Sequence, residues 1–414
     1  MANRHERFTT TRTEQPDMKS KTLGILAGLT LTGVLVATFV TQEPTSTAPQ
    51  GGERVFPQLM SVINDVAEMI VETKEQTITL VRGEKRWSVK EKDGYRADME
   101  KVKSALVGLA ELRLQDPKTK NPELYDRLGL LNPDQEGSTS TTVTLKTDQN
   151  ATLAQVVIGN QKPAKSDPRV SEIYIRKPDD PQTWLTTGNL RLDRLPEEWL
   201  DKEITALPTK RVRHVKVVHP DGEVLDLSKE KPEDMDFQLD AIPLGSAVAS
   251  PFNLNNVVGT LVQLSLDDVK KESDVSFNPK SGVAALVETF DGLRLRVETA
   301  KEGEKVYGKF SAEFDQTLVT PIEEAHAVPH KEPEASAPEE GTGQTTDSSA
   351  EGSEKKADSP ESKESLLKNP EDVQKEITAM NERVAGWIYE LPKFRVENFA
   401  KHKKDLIAHP SAKP

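Results

Sequence analysis

The sequence predicts an α+β protein: an N-terminal transmembrane helix followed by two similar modules, each a mostly antiparallel sheet with a packed helix. Three observations carry this prediction. Residues 23–40 are apolar and uncharged, segments with strand and helix periodicity follow them, and these segments recur in the same order later in the chain. Strands show apolar alternation with period two, whereas a helix face shows spacings of three and four.

The segment 23–40 is long enough to cross a bilayer, because a membrane helix needs roughly 17–25 residues. Basic side chains crowd the tail 1–22 (Arg4, Arg7, Arg12, Lys19 and Lys21). The positive-inside rule then keeps this tail in the cytoplasm. The spacer 41–54, rich in Pro, Thr, Gln and Gly, leads to the remainder, which we expect outside the cytoplasm. A cleaved signal peptide is the alternative, but the segment lacks a good small-x-small cleavage site. We therefore expect a single-pass protein of the cytoplasmic (inner) membrane.

A ridge of small residues follows the predicted membrane helix at four-residue steps: Gly24, Gly28 and Thr32. Such a ridge lets two membrane helices approach closely. It favours pairing of two copies into a homo-oligomer, against the alternative of a helix that faces only lipid.

The composition excludes several classes of function. The net charge of −13 argues against nucleic-acid binding, which needs a clustered basic surface. The absence of cysteine excludes structural disulfides, thiolate catalysis and cysteine-ligated metals, and it is compatible with an oxidising compartment.

The first module is expected over residues 55–207. Alternation predicts its strands, which are 69–72, 77–82, 86–90, 141–146, 154–158 and 172–176. Asp98 suits a helix N-cap, and the apolar residues from Val102 to Leu112 follow it at helical spacing. The turn Leu195–Leu200 closes the module.

The second module is expected to begin at residue 208, and its first part runs to 327. Its apolar positions repeat those of the first module in order. The matched pairs are Met69 with Val215, Val71 with Val217, Val89 with Leu239, Val102 with Val257, Leu106 with Leu261, Thr147 with Thr289 and Tyr174 with Tyr307. This order predicts an internal duplication.

Residues 328–370 form a Pro-, Glu-, Ser- and Thr-rich tract with little to bury, which predicts disorder. Order is expected again over 371–412, where Trp387 would match Trp184 and the strand 387–391 would complete the second sheet. The acidic tract is then an insertion before the last strand. The alternative is a terminal tail with a separate small helix.

Histidine is the first residue type to test for catalysis or metal binding. The odd separation of His214 and His219 on a strand points them to opposite faces, so surface or turn positions without a shared metal are expected. His326 and His330 have a helical spacing, but Pro329 lies between them in the tract expected to be disordered. No metal ligand and no cofactor is therefore assigned.

No other catalytic constellation is found. The adjacent carboxylates Asp179–Asp180, Glu197–Glu198 and Asp267–Asp268 diverge on a helix or a strand and are expected in solvated turns or helix ends. Phosphate-binding loops and the Gly-x-Ser-x-Gly frame are missing. The tryptophans Trp87, Trp184, Trp199 and Trp387 are expected in the core rather than on a sugar-binding face.

Six segments carry a resemblance to a known family. They are 55–59, 63–72, 78–82, 86–89, 121–130 and 387–392, from VFPQL in the first to WIYELP in the last. They are similar to bacterial membrane-anchored proteins with a domain of unknown function, often encoded beside ABC-transporter auxiliary components of the gliding-motility type. The resemblance covers roughly residues 55–407 without the acidic tract. It implies an extracytoplasmic α+β protein that accompanies a transport or envelope complex, and it brings no catalytic residues.

Together these features predict a non-enzymatic extracytoplasmic accessory or scaffold subunit of a cell-envelope complex, linked to an ABC transporter. A groove between the modules would seat an envelope or transporter protein. Two alternatives remain open: a module that binds an envelope polymer such as peptidoglycan or polysaccharide, and a cryptic carboxylate hydrolase.

Overall fold

The computed structural model describes residues 52–165, 167–320 and 367–408. The expected membrane segment 23–40, with Gly24, Gly28 and Thr32, lies outside these ranges, as does most of the acidic tract 328–370. Within the described ranges, no helix is long and apolar enough to cross a membrane.

The first sheet has nine strands, all in antiparallel pairs. In chain order they are β1 (Glu68–Glu72), β2 (Thr77–Arg82), β3 (Trp87–Val89), β4 (Tyr95–Arg96), β5 (Arg113–Pro117), β6 (Thr141–Lys146), β7 (Thr152–Pro163), β8 (Ser171–Arg176) and β9 (Thr183–Gly188). Their spatial order is β4-β3-β2-β1-β6-β7-β8-β9-β5.

Helix α1 (Met99–Glu111) contributes its buried face to the same core as this sheet, and its local sequence explains where it begins. The Asp98 carboxylate accepts hydrogen bonds from the backbone N–H groups of Glu100 and Lys101, so it satisfies two of the free donors of the first turn. Val102 and Leu109 are at most 1% exposed, as their helical spacing predicts. The predicted N-cap and helix are confirmed.

The second sheet has eight strands, again in antiparallel pairs. They are β10 (Val212–Val218), β11 (Val224–Ser228), β12 (Gln238–Leu239), β14 (Asp268–Lys271), β15 (Ala284–Thr289), β16 (Leu293–Glu302), β17 (Lys305–Phe314) and β18 (Trp387–Leu391). Strand β13 (Ala247–Val248) pairs instead with β19 (Ile407–Ala408). The second sheet runs in space as β12-β11-β10-β15-β16-β17-β18-β14.

The two sheets share one strand order. Omitting β4, the first reads β3-β2-β1-β6-β7-β8-β9-β5, and each strand has a counterpart at the same place in the second. The registers agree as well, because Met69 faces Leu80 and Leu145 whereas Val215 faces Leu227 and Val287. Helix α2 (Pro251–Val262) corresponds to α1. It precedes the edge strand β14 in the chain, just as α1 precedes the edge strand β5. The predicted combination of large antiparallel sheets with few helices is confirmed.

The C-terminal segment adds the remaining elements. They are α3 (Pro370–Val384), α4 (Lys393–Phe399) and α5 (Lys403–Leu406). Strand β18 of this segment lies between β17 and β14, and α3 packs against β17. The described chain resumes at Leu367, which is only 5% exposed, so the last residues of the predicted acidic tract contribute to the packed structure.

Candidate binding groove

A groove of about 890 Å³ lies between the first module and α3 of the C-terminal segment, and we call it the inter-module groove because α3 packs on the second sheet. Three elements line it: the β2–β3 turn, the start of α1 and the last turns of α3. Its lining residues are Gly83, Glu84, Lys85, Arg86, Ser88, Gly94, Arg96, Ala97, Asp98, Met99, Glu100, Asp201, Ala379, Glu382 and Arg383.

Arg96 of β4, at the floor of the groove, donates hydrogen bonds to the linker between the sheets and to α3. Its Nε donates to the Asp201 carboxylate at 2.7 Å, its Nη2 to the Glu203 carbonyl at 2.6 Å and its Nη1 to the Arg383 carbonyl at 3.2 Å. The Arg383 carbonyl belongs to the last turn of α3, where helix carbonyls lack internal partners and a cation is favourable. Arg96 is only 8% exposed.

The charge of Arg96 survives this burial. Burial lowers the pKa of the guanidinium, but Tyr95 and the hydrogen-bonded carboxylate of Asp201 outweigh it, so the pKa ends above its ordinary value. The guanidinium also lies over the Tyr95 ring, 4.6 Å from its centroid.

An aromatic cluster beneath the groove joins the two sheets. The Tyr95 ring of β4 meets the edges of Trp387 and Tyr389 of β18, at centroid distances of 5.0 and 6.1 Å. Tyr389 in turn meets Phe310 of β17 at 5.6 Å. Edge-to-face pairs of this kind contribute about 0.5–1.5 kcal/mol beyond the burial of their area. Burial raises the pKa of the Tyr95 and Tyr389 hydroxyls, which therefore stay protonated.

The linker between the sheets is hydrogen-bonded on one side to β4 and the start of α1, and on the other to residues 264–266, which lead into β14. On one side, Asp98 N–H donates to the Trp199 carbonyl and Asp201 N–H to the Arg96 carbonyl. On the other side, Ile204 N–H donates to Leu264 and Leu266 N–H to Lys202. A linker with its backbone paired on both sides cannot act as a free hinge, so the walls of the groove are held at a fixed separation.

The walls of the groove carry charges without partners. Lys85, Arg86, Glu100 and Glu382 are exposed, and within the described residues their side chains form no ion pair or hydrogen bond. Met99, which is 56% exposed, adds an apolar surface at the mouth. The groove therefore presents both signs of charge around one apolar contact, a lining suited to a polypeptide segment.

The histidines differ from the sequence-based prediction. His214 is half-buried between Asp226 and Glu288, and His219 contacts neither of them. His219 lies in the turn after β10, as predicted, but this turn position is buried: His219 is 5% exposed, and the His402 ring stacks on it at 4.2 Å. His402 comes from the distant C-terminal segment, so local periodicity carries no sign of this burial. His5, His326, His330 and His409 lie outside the described residues.

The tryptophans pack as predicted. Trp87 and Trp199 are at most 4% exposed, while Trp184 and Trp387 are half-buried against the same core. Of the adjacent carboxylate pairs, Asp180 is in a turn, but Asp268 is half-buried and binds Lys92 of the first module at 2.7 Å. The expectation of a solvated turn is therefore wrong for Asp268, because the junction covers it.

Sequence reasoning did not find Arg96 or Arg383. The partners of Arg96 lie at positions 201, 203 and 383, so no local spacing marks it. The predicted helix-pairing residues Gly24, Gly28 and Thr32 lie outside the described residues, and their role stays a prediction.

Comparison with known proteins gives one result. The family model of the domain of unknown function DUF4340 matches residues 87–295, from β3 to β16, which is just over half of the 414-residue chain. No curated protein and no solved structure matches significantly. The matched region contains Arg96, α1, the linker and most of the second sheet. The chain therefore belongs to the family defined by the domain of unknown function DUF4340.

Proposed function

We propose that the chain is a non-enzymatic accessory or scaffold subunit of a cell-envelope complex. In this proposal residues 23–40 hold it in the cytoplasmic membrane, its two modules lie outside the cytoplasm, and the inter-module groove seats a segment of a partner protein. The association with an ABC transporter rests on the family resemblance. The membrane anchor and the orientation rest on the sequence of residues 1–40, and the partner-binding role rests on the groove.

The observation that carries the proposal is the contrast between the floor and the walls of the groove. Arg96 and Asp201 on the floor are saturated by each other and by backbone carbonyls. On the walls, Arg86 and Glu382 have no partner among the described residues. The hydrogen-bonded floor holds the shape of the groove, and the unpartnered side chains of the walls remain available to a ligand. Such a preorganised surface loses little conformational entropy when a partner binds.

The lining of the groove supports this function over the two alternatives. A polymer-binding module needs exposed aromatic rings, and no tryptophan, tyrosine or phenylalanine lines the groove. For a hydrolase, Asp201 is already paired with Arg96 and Asp98 caps α1, while the unpartnered carboxylates Glu100 and Glu382 are exposed on the walls rather than sheltered from water.

The experiment compares substitutions that change the local charge. The tagged full chain is crosslinked in native membranes and affinity-purified, and the recovered proteins are identified by mass spectrometry. Arg86→Glu and Met99→Glu alter the walls of the groove. Arg191→Glu and Met235→Glu make the same changes at exposed positions away from it. We expect transporter or permease subunits to co-purify in stoichiometric amounts with the wild type and both controls, and to fall at least tenfold with the groove variants.

Equal recovery with the groove and control variants would refute the role of the groove. Recovery of only the chain itself or of cell-wall fragments would refute the accessory-subunit function and favour polymer binding. Unchanged melting temperatures of the four variants establish that the comparison reports binding rather than unfolding.

A further inference from the structure

A second cluster lies on the solvent-facing side of the second sheet, away from the groove. It contains His214 of β10, Asp226 of β11 and Asp240, which follows β12. One ligand atom from each residue lies within 4.8 Å of those of the other two. Two of these residues lie on neighbouring strands, and the Asp240 N–H donates to the Asp226 carbonyl at 2.9 Å, so backbone pairing fixes the separation of the three.

The carboxylate of Glu288 sets the orientation of the His214 imidazole. Its Nδ1 lies 3.1 Å from the Glu288 carboxylate, which faces it directly across β10 and β15. Arg294 holds Glu288 by two hydrogen bonds, from Nε at 2.9 Å and from Nη2 at 2.7 Å. This arrangement turns Nε2 towards Asp226. A carboxylate on the far nitrogen of an imidazole is the usual support for a histidine that ligates a metal.

The carboxylates of the cluster have hydrogen-bond partners but, among the described residues, no permanently charged one: Asp226 contacts His214 Nε2, and both Asp240 oxygens lie 3.5 Å from the Ser228 hydroxyl. Asp226 and Asp240 form no ion pair with a lysine or arginine of the described residues. The nearby Arg294 is engaged by Glu288, Glu313 and Asp315. Two adjacent carboxylates repel each other, and a bound cation would remove this repulsion.

We propose that His214 Nε2, Asp226 and Asp240 bind one divalent transition-metal ion, with Glu288 as the positioning residue behind the imidazole. One imidazole and two carboxylates suit Zn²⁺, which binds nitrogen and oxygen ligands at about 2.0–2.2 Å. Mg²⁺ and Ca²⁺ prefer sites made of oxygen alone. Asp240 is exposed, so the remaining coordination positions open to solvent or to a ligand from a partner.

A second trio of similar composition provides an internal contrast. Asp221, Glu223 and His402 also bring ligand atoms within 4.8 Å of one another. Here backbone N–H groups hold both carboxylates, which is not so for Asp226 or Asp240 within the described residues. Glu223 lies 2.9 Å from His402 Nδ1 with one oxygen and accepts the Lys403 N–H with the other. Asp221 accepts the Glu223 N–H. This trio joins the β10–β11 hairpin to the C-terminal segment and serves as the control.

The test is isothermal titration calorimetry of the purified full chain, first freed of metal with EDTA. ZnCl₂, MgCl₂ and CaCl₂ are titrated in separate runs. We expect a Zn²⁺ site of one-to-one stoichiometry whose affinity falls at least tenfold in Asp240→Asn. Glu288→Gln should weaken it by about 10–100-fold, as is typical when the support of a ligand is lost. The control Asp221→Asn should leave the affinity unchanged.

Melting in EDTA shows whether each variant is folded, and the exposure of Asp240 predicts that Asp240→Asn melts like the wild type. Absence of Zn²⁺ binding in the wild type would overturn the proposal. Binding that persists unchanged in Asp240→Asn would overturn it too, because the ion would then lie elsewhere on the chain. Saturation of the same site by Mg²⁺ at equal concentration would contradict the assignment to a transition metal.

Discussion

The two sheets have the same strand order but are completed in different ways. In the first sheet, β8 and β9 are neighbours along the chain, joined by residues 177–182. In the second, β17 ends at Phe314 and its partner β18 begins at Trp387. The first sheet therefore closes through a short connection, whereas the second must recruit its closing strand across a long stretch of chain.

This difference explains where the specific side-chain contacts lie. The C-terminal segment is held to the second module by Arg211 with Glu376, by Asn381 with Ala312 and by His402 with His219 and Glu223. Closing a long loop costs more conformational entropy than closing a short one, and these contacts offset that additional cost. Each of them can be broken separately.

Among the single substitutions, the largest effect is expected from Arg211→Met. Arg211 is 1% exposed and bonds Asp291 at 2.8 Å and both oxygens of Glu376. Removing it leaves Asp291, 2% exposed, as a buried unpaired charge, which costs about 3–5 kcal/mol. Urea unfolding measures the change. Arg169→Met, at a side chain that is 90% exposed, should leave the free energy of unfolding nearly unchanged. Equal losses in the two variants would contradict a stabilising role of the buried Arg211 network.

Asn381→Ala should cost about 1–3 kcal/mol. The Asn381 side chain accepts from the Ala312 N–H at 2.8 Å and donates to its carbonyl at 2.7 Å, so it replaces strand pairing where β18 does not reach. Without it these backbone groups lose their partner. Gln374→Ala on the exposed face of the same helix is the control, with a change within about 0.5 kcal/mol. A similar cost for both substitutions would assign the effect to helix propensity.

The stacked histidines predict a pH dependence. Burial, and then the neighbouring His402, lower the pKa of His219 below its ordinary value of 6.5. The unfolded chain therefore binds a proton below about pH 6.5 that the folded chain takes up only at lower pH, so the free energy of unfolding decreases as the pH falls through this window. Melting temperatures between pH 7.5 and 5.5 should fall more steeply in the wild type than in His219→Gln. Parallel curves would contradict this role.

The smallest effect is expected from replacing residues 328–366 with a flexible linker of about 15 residues. Loop-closure entropy changes by only about 0.6 kcal/mol for each doubling of length, so the melting temperature should change little. The replacement must stop before Leu367 and Lys368, because Leu367 is buried and the Lys368 N–H donates to Asp291. By contrast, deleting 384–412 removes β18 and should unfold the second module. Thermal melting of both variants makes the comparison.

Local structure could be predicted well from the sequence where local chemistry determines it. The strands 77–82 and 141–146 and the helix capped by Asp98 agree with the structure. Helix α3 was missed because its sequence is mostly polar and buries only Val373, Ile377 and Val384. Its start does carry a signal, since Asn369 caps the helix and Pro370 follows as its first residue. That pattern would have located the helix.

The candidate sites could not be predicted, because their residues are brought together by the fold rather than by spacing. Arg96 acquires its role from the linker and from α3, and His219 is buried by a residue of the C-terminal segment. Asp240 approaches His214 only through the pairing of β10, β11 and β12. Period and spacing report on one element at a time, whereas each of these sites depends on several elements.

Site-specific photocrosslinking in native membranes tests the central claim, that the rigid groove between the modules receives a partner protein. A photoreactive residue replaces Met99 at the mouth of the groove or, as the control, Met235, which is 88% exposed elsewhere. The account predicts one discrete adduct with an envelope or transporter subunit from position 99 and none from position 235. No adduct from position 99, or the same adducts from both positions, would contradict it.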